Sequence, residues 1–212
     1  MQEGSGSTLA ALVGTAGTYT GSPTLSNAGP VPSLSKCATF NGSSQTATAA
    51  VSLSAYSSIT LTFWLWWDTF ANNDKMALAC PAPYSGSGIR GFVINPNSSS
   101  STSRFEAAMS EPTGSFRNRV FTRPTTGAWH HYGVRLVRNG AASFASFIVD
   151  GAVPPGDAAG ASTANMTSTF TGTVLNIMSY GGSYYGAGRM AGLALFPTAL
   201  TDARIIAQRN AA

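Results

Sequence analysis

The sequence predicts an all-β chain, an antiparallel β-sandwich with one short helix near its C-terminus. Three observations carry this reading. Short segments rich in β-branched and aromatic residues recur along the 212 residues, several of them alternating with period two. Turn signals punctuate them, at Asn41-Gly42, Asn139-Gly140 and Asp150-Gly151. A single stretch, DARIIAQR, reads as a helix, with Thr201 placed to cap it and Ile205 and Ile206 directed inward. A chain of this length fits one sandwich domain.

The elements follow in order. Residues 1–32 are rich in Gly, Ser, Thr and Pro and read as an arm or as partial first strands; residues 33–212 form the sandwich proper. SSITLTFWLWWDTF is the clearest strand. Ile59, Leu61, Phe63, Leu65 and Trp67 share one face, and Thr60, Thr62, Trp64, Trp66 and Asp68 the other. An apolar face backed by a half-aromatic one predicts a central position. MALACPAP, IRGFVINPN, RFEAAMSEP and SFRNRVFTRP continue as short strands. Asn139-Gly140 joins VRLVR to ASFASFIVDG as a hairpin. GTVLNIMSY and RMAGLALFP complete the series.

Charged residues make up only 9% of the chain, well below the usual quarter, so solubility rests on Ser, Thr, Asn and Gly. The formal net charge is +4, but the arginines are scattered. A nucleic-acid partner calls for a clustered basic face; the nearest segment, Arg117 to Arg123, reads as solvated strand-edge arginine, and no nucleic acid is expected. No stretch has the length of a membrane span. Cys37 and Cys80 are too few for a disulfide framework and read as reduced, half-buried thiols, with a pairing between them left open.

Four pieces, in order, resemble the laminin-G-like (concanavalin-A-like) jelly-roll family. ATFNGSSQTATA resembles its Phe-Asx-Gly segment, and SITLTFWLW its Trp-ending strand. GAWHHYGVRLVRNGAASFASFIVDGAVP resembles its Trp-x-His strand and hairpin, and RMAGLALFPTALTDARIIAQRN its closing strand and helix. The likeness runs from about Tyr19 to Asn210. It implies a jelly-roll sandwich. The opening TYTGSPTLSNAGP is similar to the lead-in of such domains in bacteriophage tail and head-surface proteins. That implies a virion component (head decoration, head fibre or tail component) with other virion proteins and copies of itself as partners, and host-surface polysaccharide as ligand. No basic leader with an apolar run opens the chain, so the expected location is the virion, after synthesis in a host cytoplasm. The alternative is a free carbohydrate-binding module of a larger bacterial protein.

The hydrolase branch of this family carries Glu-x-Asp-x-Glu on one strand, and nothing here matches it, so no enzyme is expected. His130 and His131 are adjacent, point to opposite faces of a strand and cannot chelate one ion together. Calcium is the one cofactor with ligands on offer: Asn72 and Asp74 lie in the FANNDK turn, which with its single carboxylate reads equally as an Asx turn needing no metal. The candidate glycan-binding residues are aromatic. Trp64 and Trp66 are either exposed stacking platforms or a buried second face. Tyr180, Tyr184 and Tyr185, in the Gly-rich SYGGSYYGAG, form either an adaptable binding loop or a loop packed on the sandwich.

Overall fold

The computed structural model describes residues 8–9, 16–69, 74–80, 90–98, 104–112, 114–167 and 169–211, with the backbone alone at 8, 9 and 160–162. Among these residues the strands are β1 (Thr8–Leu9), β2 (Gly17–Thr20), β3 (Thr24–Val31), β4 (Leu34–Asn41), β5 (Thr46–Ala50), β6 (Ser58–Trp67), β7 (Leu78–Cys80), β8 (Phe92–Asn95), β9 (Arg104–Ser110), β10 (Phe116–Thr122), β11 (Trp129–Val137), β12 (Phe144–Val149), β13 (Ala158–Thr163), β14 (Val174–Ile177) and β15 (Ala187–Phe196). A single helix, α1 (Asp202–Asn210), follows. One sheet runs β1-β2-β5-β14-β7-β8-β9-β10-β13 and the other β12-β11-β6-β15-β4-β3. Every strand pairing is antiparallel. The predicted sandwich with one closing helix is thus the observed architecture.

Residues 17–31, assigned from sequence to an arm or first strands, lie in both sheets: β2 pairs with β5 and β3 with β4. Asn41-Gly42 turns the chain, but between sheets rather than within a hairpin, since β4 and β5 belong to different layers. The Asn41 side-chain oxygen accepts from the amides of Ser43, Ser44 and Gln45 at 3.0, 3.1 and 3.3 Å, and Gly42 adopts φ +73°. The Asn139-Gly140 hairpin is as expected, with β11 paired to β12 from Tyr132↔Val149 to Val137↔Phe144.

Alternation sets which face each strand buries. In β6, Ile59, Leu61, Phe63, Leu65 and Trp67 all enter the core between the sheets. Phe63 and Tyr132 from one sheet stack on Phe105 and Phe121 from the other: Phe63–Tyr132 at 5.3 Å, Tyr132–Phe105 at 4.8 Å and Phe105–Phe121 at 4.9 Å, all within 22° of parallel. The sheets are also tied by charge. Arg138, just after β11, donates to Glu111 Oε1 at 2.7 Å and to the Ser110 carbonyl at 2.9 Å, with its guanidinium 5.1 Å over the Phe170 ring.

The helix is held as its sequence implies. Thr201 Oγ1 accepts from the Arg204 amide at 3.3 Å, and Asp202 pairs with Arg135 at 2.7 Å. Ile205 is fully buried against Gly133 of β11, where a Cβ would lie 2.2 Å from Ile205 Cγ2; a glycine there lets the helix sit on the sheet. Ile206 is only half-buried, so one of the two isoleucines expected inward docks the helix.

Both cysteines are buried and free, where half-buried thiols were expected. Cys80 lies in the main core, whereas Cys37 packs beside Trp64 on the opposite side of the six-stranded sheet. Burial pushes the Cys80 thiol up to about 12 and raises Cys37 as well, against the nearby Arg189 cation. Iodoacetamide at pH 8 should therefore leave both thiols unmodified in the folded chain and alkylate both in urea, read by mass spectrometry.

Candidate functional site

The loop after β14 is built by a tight turn. Tyr180 and Ser183 exchange backbone hydrogen bonds at 2.8 Å each way, with Gly181 at φ +53° and Gly182 at φ +76°. Both central residues are left-handed, which the Gly-Gly pair accepts without strain. The loop is pinned to the sheet: the Met76 amide donates to the Tyr184 carbonyl at 2.9 Å, and the Gly186 amide to the Met178 carbonyl at 2.9 Å. Tyr180 packs on Met76, Ala79, Val93 and Ala108. Ala79, Val93 and Ala108 are paired across β7, β8 and β9, so this ring covers the outer face of the nine-stranded sheet. Tyr184 stacks on Tyr180 at 5.8 Å and 19° and stays 46% exposed. Tyr185 is half-buried beside them.

The next row of the same outer face is polar. Asn95 of β8 stands opposite Glu106 of β9, and Glu106 opposite Val120 of β10. Asn118 donates to Glu106 Oε1 at 2.5 Å, and Asn95 to Asp74 Oδ1 at 2.9 Å. The Asn95 oxygen accepts from the Asn97 amide at 3.0 Å, and Arg123 donates to the Asn97 side-chain oxygen. Glu106 is 3% exposed, yet its Oε2 has no hydrogen-bond partner. On this face the exposed feature is thus the Tyr184 ring, stacked on Tyr180 above a buried apolar patch and beside a row with one enclosed, unpaired acceptor.

Asn72 lies outside the described residues. Asp74 has φ +54° and is held by Asn95, and among the described residues no group of three His, Cys, Asp or Glu side chains could hold a metal. No hydrolytic constellation follows Glu106 either: Ala108 and Ser110 take the next two outward positions of β9.

Trp64 and Trp66 lie elsewhere, on the outer face of the six-stranded sheet. Trp64 is 8% exposed, packs with Cys37 and Ala191, and meets His131 edge-on at 5.2 Å. Trp66 is half-buried, donates to Asp68 Oδ1 at 3.0 Å, and contacts Trp129 edge-on at 6.1 Å. Tryptophans and tyrosines thus occupy opposite sides of the sandwich and form no common site. The arginines of β10 knit the sheet edge: Arg117 donates to the carbonyls of Thr163 and Ala164, and Arg119 pairs with Asp157 at 2.6 Å, which raises its pKa through that bond.

A family model described as the concanavalin A-like lectin/glucanases superfamily matches residues 40–206. The chain belongs to this superfamily. Among solved structures, domain 4 of AbnA, an extracellular arabinanase from Geobacillus stearothermophilus in complex with arabinotriose, is 13% identical with a TM-score of 0.62, over 91% of this chain and 87% of that one. The binding domain of botulinum neurotoxin serotype G is 12% identical with a TM-score of 0.66, over 92% of this chain and 46% of that one. The binding domain of Paraclostridial Mosquitocidal Protein 1 is 10% identical with a TM-score of 0.66, over 93% and 47%. The chain therefore spans just under half of these toxin domains. At such identities the likeness is one of fold. A comparison with curated proteins finds no match.

The tyrosines and tryptophans were visible in the sequence; Glu106, Asn118 and Arg189 were missed. RFEAAMS did carry a signal for the first, since Phe105, Ala107 and Met109 alternate inward and leave Glu106 pointing out.

Proposed function

We propose that this chain is a non-catalytic carbohydrate-binding module whose ligand lies on the outer face of the nine-stranded sheet, against Tyr184 and Tyr180. The observation that carries the reading is the exposed Tyr184 ring stacked on Tyr180 over that face. A flat, exposed aromatic ring suits the C–H face of a sugar. The arabinotriose in the AbnA domain structure supports an oligosaccharide ligand for this fold. The lone outward carboxylate of β9 favours binding over hydrolysis.

The setting follows from the lead-in TYTGSPTLSNAGP: a bacteriophage virion surface, where the module joins other virion proteins and copies of itself and adheres to host glycans. The second reading, a free module of a larger bacterial protein, draws on the arabinanase domain. Light scattering separates them: a closed oligomer supports the first, a stable monomer the second.

Calorimetric titration of an oligosaccharide panel that includes arabinotriose tests the binding reading. Tyr184→Ala should weaken the wild-type ligand by roughly tenfold or more, the loss of one stacking contact, without changing the melting temperature. Unchanged affinity in Tyr184→Ala would rule the tyrosine face out.

A further inference from the structure

We propose that the outer face of the six-stranded sheet carries a second site, for a carboxylate-bearing sugar, in which Arg189 holds the carboxylate and Trp66 and Trp129 hold the ring. The register builds it: Thr39, Arg189, Trp66 and Trp129 lie side by side across β4, β15, β6 and β11. The Arg189 guanidinium lies 4.7 Å over the Trp66 ring, and Trp129 meets Trp66 edge-on at 6.1 Å and 69°, so the cation rests on one indole and a second flanks that indole on its far side. All three side chains are half-buried.

Arg189 differs from the other arginines of the sheets. Arg119, Arg135 and Arg138 each meet a carboxylate, and Arg104 and Arg117 meet carbonyls. Among the described residues Arg189 has no ion-pair or hydrogen-bond partner, and its Nε is enclosed without an acceptor. Asp68, the acidic residue on the same rim, accepts from the Trp66 indole instead. The adjacent row adds two more enclosed nitrogens without partners, Trp64 Nε1 and His131 Nδ1. Arg189 Nε and Trp64 Nε1 are thus unpaired donors on this face, whereas the unpaired group on the tyrosine side is an acceptor, Glu106 Oε2. The two faces therefore ask for different ligands. A guanidinium fixed on an aromatic ring matches a carboxylate in a bidentate pair, and the flanking indoles match a sugar ring more closely than an extended acidic peptide.

The inference extends the carbohydrate reading but rests on Arg189 rather than on the tyrosines, and its test separates the two. Tryptophan fluorescence and calorimetry follow titration of the full chain with trigalacturonate, its methyl ester, sialyllactose and poly-glutamate. At least one acidic sugar should bind and perturb tryptophan emission, while the methyl ester does not. Arg189→Gln should weaken that binding by about tenfold or more, Arg189→Lys less, and Tyr184→Ala not at all. Added salt should weaken it in the wild type. Failure of both acidic sugars at millimolar concentration, their undiminished binding to a folded Arg189→Gln chain, or tighter binding of poly-glutamate than of either sugar would each overturn the proposal. Loss of neutral-sugar binding in Tyr184→Ala alone bears only on the tyrosine face.

Discussion

Replacing Glu111 by alanine should cost the fold about 3–5 kcal/mol, because it strands a buried cation. Arg138 is 2% exposed, and its partners include Glu111, the Ser110 carbonyl and the Phe170 ring. Burial pushes its pKa down while the Glu111 charge pushes it back up, so removing the carboxylate takes away the charge that offsets the desolvation cost. Glu111 also accepts from the Thr167 amide and lies 3.7 Å from Arg90 Nε, so one residue gathers three segments. For a domain of this size the melting temperature should fall by roughly 6–20 °C. The double replacement Glu111→Leu with Arg138→Met should recover much of the loss, since an apolar pair carries no buried charge. Urea unfolding of the two variants checks both statements; a Glu111→Ala chain as stable as wild type would show that the pair adds nothing.

Acid should destabilise the fold through His131. Its ring is 2% exposed, lies edge-on to Trp64 and has an Nδ1 without a partner. Burial, helped by the Arg209 cation and opposed by Asp150, lowers its pKa from 6.5 to about 4. Between those values the unfolded chain binds the proton and the native chain does not, so stability falls as pH drops from 6.5 towards 4 and levels off below. The loss from this group is on the order of 3 kcal/mol. Asp150 acts in the same direction at lower pH. Its burial pushes its pKa up, but hydrogen bonds with His130 and from the His131 amide, together with the charges of His130 and Arg209, carry it below the usual value, so its contribution is lost as pH falls through that lowered pKa. Urea midpoints across the pH range should show the slope, and His131→Gln should flatten it between pH 6.5 and 4. A wild-type profile flat across that window would contradict the assignment.

How far the sequence could be read depended on the range of the contacts involved. The two faces of β6 were legible because alternation is local, as were the Asn139-Gly140 hairpin and the Thr201 cap. The split of Ile205 and Ile206 was not, because which isoleucine docks depends on the gap that Gly133 leaves on a distant strand. β7 and β8 are buried on both faces, since Tyr180 comes from far along the chain to cover the outer one. The tyrosine loop was recognisable by composition, but the sheet face it covers was not. Glu106 and Asn118 meet through the β9–β10 register, and Arg189 reaches Trp66 through the β15–β6 register. Neither pairing is encoded in local spacing, so a search for Glu-x-Asp-x-Glu passes over Glu106 and a scattered set of arginines does not single out Arg189.

The most direct test of the central claim is to observe the tyrosine rings themselves while sugar binds. With ring-labelled tyrosine, NMR titration with the tightest neutral oligosaccharide of the panel should shift the Tyr184 and Tyr180 signals in proportion to occupancy and leave Tyr132 in the core unmoved. Saturable binding with both loop tyrosines unshifted would place the ligand on another face and contradict the account.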